Sequence, residues 1–255
     1  MKTEIADAED LVLKRFAELG QKLKEDSSFM GRTRLRLKSQ PIQLPIGINP
    51  STNGRILVHM PGCEETADGY GMKYRTLATF LQEKELCAVV RMDNQERDYH
   101  PYEQTLHDDL RFVIDYALKN SERISGSTKP ELYLMGFSGG AEAVGVVAHE
   151  FPVSKILLMG PGLVSEVFFP LKEGLGKFLG EVYIAQGEQD HVRSGRFFYN
   201  MATHAKKREL AIVPNCDHQF RHEVNDRVYS KAPFWAIAGD TSFPSPEGGI
   251  RLVQK

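Results

Sequence analysis

Short apolar runs alternate with amphipathic stretches along most of this chain, and few architectures accept that alternation. The runs are Arg55–Met60, Leu86–Arg91, Glu131–Met135, Lys155–Met159, Val182–Gln186 and Glu209–Val213. Each is strand-sized, and its apolar residues sit on consecutive positions rather than on every second one. A strand with that pattern is buried on both faces. Between the runs, apolar residues recur at three- and four-residue spacing. Leu77, Ala78 and Leu81 do so in Tyr74–Lys84, and Leu106, Leu110, Val113, Ile114 and Leu118 in Gln104–Asn120. Gly139–Glu150 and Ser194–Ala205 fill further intervals. Strands alternating with helices predict an α/β fold, with a mostly parallel central sheet and helices on both faces.

The ends of the chain depart from this rhythm. Arg34–Lys38 and Pro41–Ile48, separated by Ser39 and Gln40, predict antiparallel N-terminal edge strands. Before them, Val12, Phe16, Leu19 and Leu23 form one apolar stripe within Ile5–Lys24. Residues 1–30 are therefore expected to be a helical extension that packs on the domain or forms a homodimer contact. From Asp240 onward Gly, Pro and Ser are frequent, so residues 240–255 are expected to be a loosely held tail. With no internal repeat and no linker, residues 1–255 read as a single domain.

Bulk properties exclude several function classes. A chain of 255 residues with 41% apolar and 26% charged residues can bury a full sheet. A net charge of −2 supplies no basic field for nucleic acid. The alternating basic residues of Arg32–Lys38 read as the polar face of a strand. Glu4, Asp7, Glu9 and Asp10 stand where a secretory leader carries basic and then apolar residues. No apolar stretch approaches the ~20 residues that span a bilayer. The expectation is a cytoplasmic protein with no membrane partner. Three cysteines, Cys63, Cys87 and Cys216, are too scattered for a disulfide framework or a zinc spacing.

In an open parallel sheet, ligands bind beyond the carboxyl ends of the strands, so the residues after each strand matter most. Gly136-Phe137-Ser138-Gly139-Gly140 follows one strand and opens a helix. This is G-x-S-x-G in strand–turn–helix context. A sharp turn lifts the Ser138 hydroxyl above the sheet, and only glycine leaves room on either side. The bare pattern is weak, since ordinary Gly and Ser usage yields it in roughly one chain in ten. Its context gives it meaning.

Three other strand ends fit the same chemistry. Asp190 lies in Gln186-Gly-Glu-Gln-Asp-His191, where a carboxylate could orient an imidazole. Glu188 is the competing acid. His218 lies after the final strand of the run series, in Val213-Pro-Asn-Cys-Asp-His218. The chain has 8 histidines; His191, His204 and His222 are its rivals, and His59 reads as a satisfied core residue. Pro61-Gly62-Cys63 follows the strand Arg55–Met60. A tetrahedral oxyanion needs two N–H donors. Gly139 is one candidate; Pro61 has no N–H, so Gly62 or Cys63 is the other, with Cys63 preferred.

From about Arg34 to Phe220 the chain resembles the α/β-hydrolase superfamily. Gly136–Gly140 matches the nucleophile elbow, Asp190 the acid and His218 the base. Pro61-Gly62-Cys63 stands where that superfamily usually has His-Gly-x, so the second oxyanion donor departs from the common form. The resemblance implies a serine hydrolase, esterase-like, acting on a small-molecule acyl substrate and needing neither metal nor organic cofactor. A thioesterase, an amidase or peptidase, or a non-catalytic binding module on the same fold are the alternatives. Gly160–Gly180, where the superfamily inserts lids, is too short for a large cap domain. Val167, Phe168, Phe169 and Leu171 are expected to form a small apolar lip or to pack against the domain. Met92–Tyr102 is polar and aromatic, and Asp68, Tyr70 and Tyr74 are further candidates to border the entrance.

Overall fold

The computed structural model describes residues 44–94, 102–162, 167–192, 194–221, 228–243 and 250–254. The proposed N-terminal helix and the strand Arg34–Lys38 lie outside the described residues, as do His222 and most of the polar loop after Met92.

In chain order the elements are β1 (Ile46–Asn49), β2 (Arg55–Met60), α1 (Lys73–Glu83), β3 (Ala88–Met92) and α2 (Tyr102–Lys119). A short helix α3 (Ser121–Ser125), β4 (Glu131–Phe137), α4 (Gly139–Val147) and β5 (Val153–Met159) follow. The remainder comprises α5 (Phe168–Lys177), β6 (Glu181–Gly187), α6 (Gly195–Met201), β7 (Lys207–Val213), α7 (Val228–Pro233) and β8 (Ile250–Gln254). The strands form one eight-stranded sheet in the order β1-β3-β2-β4-β5-β6-β7-β8. The six inner strands run parallel, and β1 and β8 close the two edges antiparallel.

Burial on both faces explains the continuous apolar runs. Along β4, Leu132 and Leu134 face one core while Tyr133, Met135 and Phe137 face the other. The first core is covered by α2, α4, α5 and α6 through residues such as Leu110, Val144, Leu171 and Phe198. The second is covered by α1 and by the segment after β7, through Leu77, Leu81, Phe220 and Trp235. Burying each large side chain contributes roughly 1.5–3 kcal/mol. Trp235, in a π-helical turn after α7, donates its indole N–H to Glu209 at 3.2 Å. Lys207 pairs with the same carboxylate, so this fully buried acid is compensated. Cys87 is buried in this core, and burial pushes its thiol up to about 12.

One sequence expectation is settled here and another changes. Of the two alternatives for Val167, Phe168 and Leu171, the second holds: all three are buried and pack against the domain, with α5 lying on α4. The close approach is made at glycines. A side chain on Gly174 would run into the carbonyl oxygens of Gly145 and Val146, each 2.5 Å from its Cβ position. The tail is not loose throughout. Residues Ile250–Gln254 pair with β7 from Ile212↔Ile250 to Arg208↔Gln254. The outer edge of β7 offers unpaired backbone groups, and a strand-forming run satisfies them despite its Gly- and Pro-rich approach.

Deleting residues 250–255 should therefore lower the unfolding free energy by roughly 2–4 kcal/mol, since each lost ladder bond is worth about 0.5–1.5 kcal/mol. Urea titration of the truncated and full chains measures this. Equal midpoints would return the tail to a loosely held segment.

Candidate active site

The turn between β4 and α4 carries the first site residue. Ser138 has φ 52° and ψ −120°, a conformation that non-glycine residues rarely adopt. Such strain costs of order 1–3 kcal/mol and persists only where the surroundings over-determine it. Here they do. The Ser138 N–H donates to the Met159 carbonyl at 3.0 Å, and its own carbonyl accepts from Ala141 at 3.0 Å and Gly162 at 3.1 Å. The flanking glycines are required by space. A Cβ on Gly136 would strike Gly140 and Ala141, and one on Gly140 would strike the carbonyls of Met60 and Pro61. Among the described residues the Gly139 amide, first in α4, has no hydrogen-bond partner.

Asp190 lies in the loop after β6 and is fully buried. Its Oδ1 accepts from the Val192 amide at 2.9 Å, and its Oδ2 meets His218 Nδ1 at 2.9 Å. Burial pushes this carboxyl up, but the bonds from His218 and Val192 and the nearby imidazole charge outweigh it and hold Asp190 below its ordinary value. Glu188, the rival acid, accepts from the Asn215 amide at 3.1 Å. It thereby ties the loop after β6 to the loop after β7, a bond reinforced by Gln189 N–H to the Cys216 carbonyl at 2.9 Å.

His218 completes the chain of contacts. Its Nε2 lies 3.0 Å from Ser138 Oγ. With Nδ1 against a carboxylate, the proton belongs on Nδ1, which leaves Nε2 as the acceptor for the serine hydroxyl. The ring tilts against Phe137 with centroids 5.3 Å apart. Gly160, beside the His218 carbonyl, holds φ at +47°, a backbone conformation that a side chain would strain. Asn215 and Phe220, both at positive φ, bend the loop that presents it. Cys216, two residues away, is buried, and its thiol is pushed up to about 12.

The other histidines lie elsewhere. His191 is 81% exposed, with its ring 5.5 Å from that of His218. His204 contacts the Gly176 carbonyl at 2.6 Å. His59 is buried against Tyr74, but neither of its ring nitrogens is hydrogen-bonded among the described residues, so it is not the satisfied core residue expected. Burial, helped by the charges of Lys73 and Arg91, pushes it down to about 3 and keeps it neutral. It faces α1 because β2 alternates and places His59 on the same side as Leu57.

The turn after β2 holds Cys63, which is exposed. The Glu65 N–H closes this turn onto the Gly62 carbonyl at 3.2 Å, and Glu64 takes the left-handed position at φ 60°. Several residues expected to border the entrance instead support this region. Asp93 accepts from the Ala67 amide at 2.6 Å, and Asn94 Nδ2 donates to the carbonyls of Pro61 and Gly62 at 3.0 Å each. Asp68 is paired with Arg91, Tyr74 is buried, and Tyr70 stands 90% exposed beside α1. Glu65, Lys73 and Gly162 escape the sequence reading, and Asn94 enters it only as part of an entrance loop. Their only sequence signal is proximity to a strand end. Among the described residues no group of three or more His, Cys, Asp or Glu side chains is arranged to hold a metal.

The Asp190 contacts carry a pH signature. A carboxyl held below its unfolded value, near 3.9, stabilises the fold above that value and loses the contribution as pH falls through its folded value. Asp190→Asn should therefore be less stable than the native chain at neutral pH, with the gap narrowing as pH falls below about 4. Urea unfolding at stepped pH measures both curves, and parallel curves would remove the claim.

No protein-family model matches the chain, and no curated protein matches it. Solved structures do. It is similar to the Est1E protein of Butyrivibrio proteoclasticus with ferulic acid bound, at 15% identity and a TM-score of 0.58, covering 76% of this chain and 96% of that one. It is similar to a dienelactone hydrolase from Anabaena variabilis at 18% identity and a TM-score of 0.60, covering 78% and 93%. A monoacylglycerol lipase from Paleococcus ferrophilus aligns at 12% identity and a TM-score of 0.60, covering 78% and 100%. With an elbow turn after β4 and no large cap among the described residues, the chain has the α/β-hydrolase fold.

Proposed function

We propose that this protein is a serine hydrolase that cleaves an ester or related acyl bond through an acyl-enzyme on Ser138. The observation that carries the proposal is the hydrogen-bonded chain Asp190–His218–Ser138, with 2.9 Å and 3.0 Å links and the serine on a strained turn. Similar folds that bear the names esterase, hydrolase and lipase support it.

The steps follow from the geometry. His218 Nε2 accepts the Ser138 proton as Oγ attacks the carbonyl carbon. Asp190 keeps the ring in the tautomer that accepts at Nε2 and stabilises the imidazolium that forms. The Gly139 and Cys63 amides receive the negative charge that develops on the carbonyl oxygen. His218 then delivers its proton to the leaving group, which departs as an alcohol, thiol or amine. A water molecule attacks the acyl-enzyme by the same route, and the acid product and free Ser138 result. All the groups involved come from this chain and from water.

A fluorophosphonate probe should label the native protein and leave Ser138→Ala unlabelled. Equal labelling of both would refute the nucleophile. Ser138→Ala or His218→Ala should lower kcat by at least about 10⁴-fold on an activated ester. A panel of matched ester, thioester and amide substrates identifies the leaving group by comparison of kcat/KM.

A further inference from the structure

Two amides, those of Gly62 and Cys63, lie in the turn where the second oxyanion donor is needed. A carboxylate with no part in the mechanism above separates them. Glu65 Oε2 accepts from the Gly62 N–H at 3.0 Å and from the Tyr74 hydroxyl, while Oε1 lies 2.6 Å from Lys73 Nζ. The Gly62 amide is therefore already engaged. Tyr74 stays a donor because burial raises its pKa far above the ordinary value.

The carbonyls of the turn are held as well. Pro61 and Gly62 both accept from Asn94 Nδ2 at 3.0 Å, and Gly62 also accepts from the Glu65 amide at 3.2 Å. The Asn94 amide in turn donates to the Glu65 carbonyl at 2.8 Å. In a trans peptide the N–H points opposite to the C=O of the same unit. With the Gly62 carbonyl turned toward Asn94, the Cys63 N–H points away from it, and among the described residues it has no partner. The turn lies against the nucleophile elbow. A Cβ on Gly62 would be 2.9 Å from the Phe137 ring, and Gly140 abuts the Pro61 carbonyl.

Charge balance favours the same role. An unpaired carboxylate beside a developing oxyanion would oppose it. Lys73 neutralises Glu65 and lies 4.6 Å from the Phe137 ring centroid. It also donates to Gln219 Oε1 at 3.3 Å, next in sequence to His218.

We propose that Glu65 is a positioning residue of the oxyanion hole: with Asn94 it clamps the Pro61–Glu65 turn so that Cys63, and not Gly62, presents its N–H to the reacting carbonyl. This rests on the serine-hydrolase reading above. Substrate never touches Glu65; it acts through the backbone it holds.

The test compares Glu65→Ala, Glu65→Gln and Asn94→Ala with the native chain, well below each thermal midpoint. The readouts are kcat and KM on a p-nitrophenyl ester, affinity for a trifluoromethyl ketone as a tetrahedral mimic, and the fluorophosphonate labelling rate. Glu65→Ala should lose about 10²- to 10³-fold in kcat, the loss seen for one missing oxyanion donor, with KM within about threefold. Affinity for the ketone should fall with kcat/KM. Glu65→Gln keeps an acceptor for the Gly62 amide and should recover to within about tenfold of native. Asn94→Ala should show the same kcat-only loss, which keeps the test valid should Glu65→Ala fail to fold. The proposal is overturned if both alanine variants keep native kcat and ketone affinity, or if KM rises while kcat holds. If the native protein labels at Ser138 and the Glu65 variants match it, only the role of Glu65 falls. If the native protein does not label, the hydrolase reading falls with it.

Discussion

The start of α4 lies directly on the end of β2, with Gly140 so close to the Met60 and Pro61 carbonyls that no side chain fits between them. That backbone contact governs the carboxyl edge of the sheet. It requires glycine at 140, and it places the turn after β2 beside the first amides of α4. It also leaves the chain little choice at Ser138, whose positive φ is held by bonds to Met159, Ala141 and Gly162. The strain at Ser138 is local, but the surfaces that sustain it come from β2, β5 and the loop after β5. A strained residue of this kind survives only in a framework stiff enough to oppose its relaxation.

Three carboxylates lie around this edge, and each is committed to a different task. Asp190 orients His218, Glu188 joins the loops after β6 and β7, and Glu65 holds the turn after β2. Lys73 is paired with Glu65 and reaches Gln219, so α1 is linked both to the turn after β2 and to the loop that carries His218. The neutral His59, packed against Tyr74, adds no charge.

Much of this is legible in the sequence. The six inner strands appear within about two residues of their sequence boundaries, because burial on both faces demands continuous apolar runs. Ser138, Asp190 and His218 were marked by their places after strands, and the fold brings them into hydrogen-bonding contact. The edges were less legible. A strand that completes a sheet at β8 needs a partner more than a pattern, and Ile250–Gln254 is short and follows a Gly-rich approach. The apolar residues around the start of α5 favoured packing against the domain only slightly over a lip. The choice was made by Gly145 and Gly174, which allow the two helices to meet.

The sequence by itself determined the layering of the sheet, the turn that carries Ser138, and the order of the three polar residues after the strands. Those follow from local rules: periodicity, glycine at crowded turns, and the polarity of strand ends. Tertiary structure decided which carboxylate meets His218, what Asp93 and Asn94 bond to, and which amide of the turn after β2 has no partner among the described residues. The Asp190–His218 and Asn94–Gly62 bonds join residues 28 and 32 positions apart. Hydrogen bonds at that separation leave no periodic trace in a single sequence. Only the packed sheet brings donor and acceptor within 3 Å and turns Glu188 away from the site it could have served.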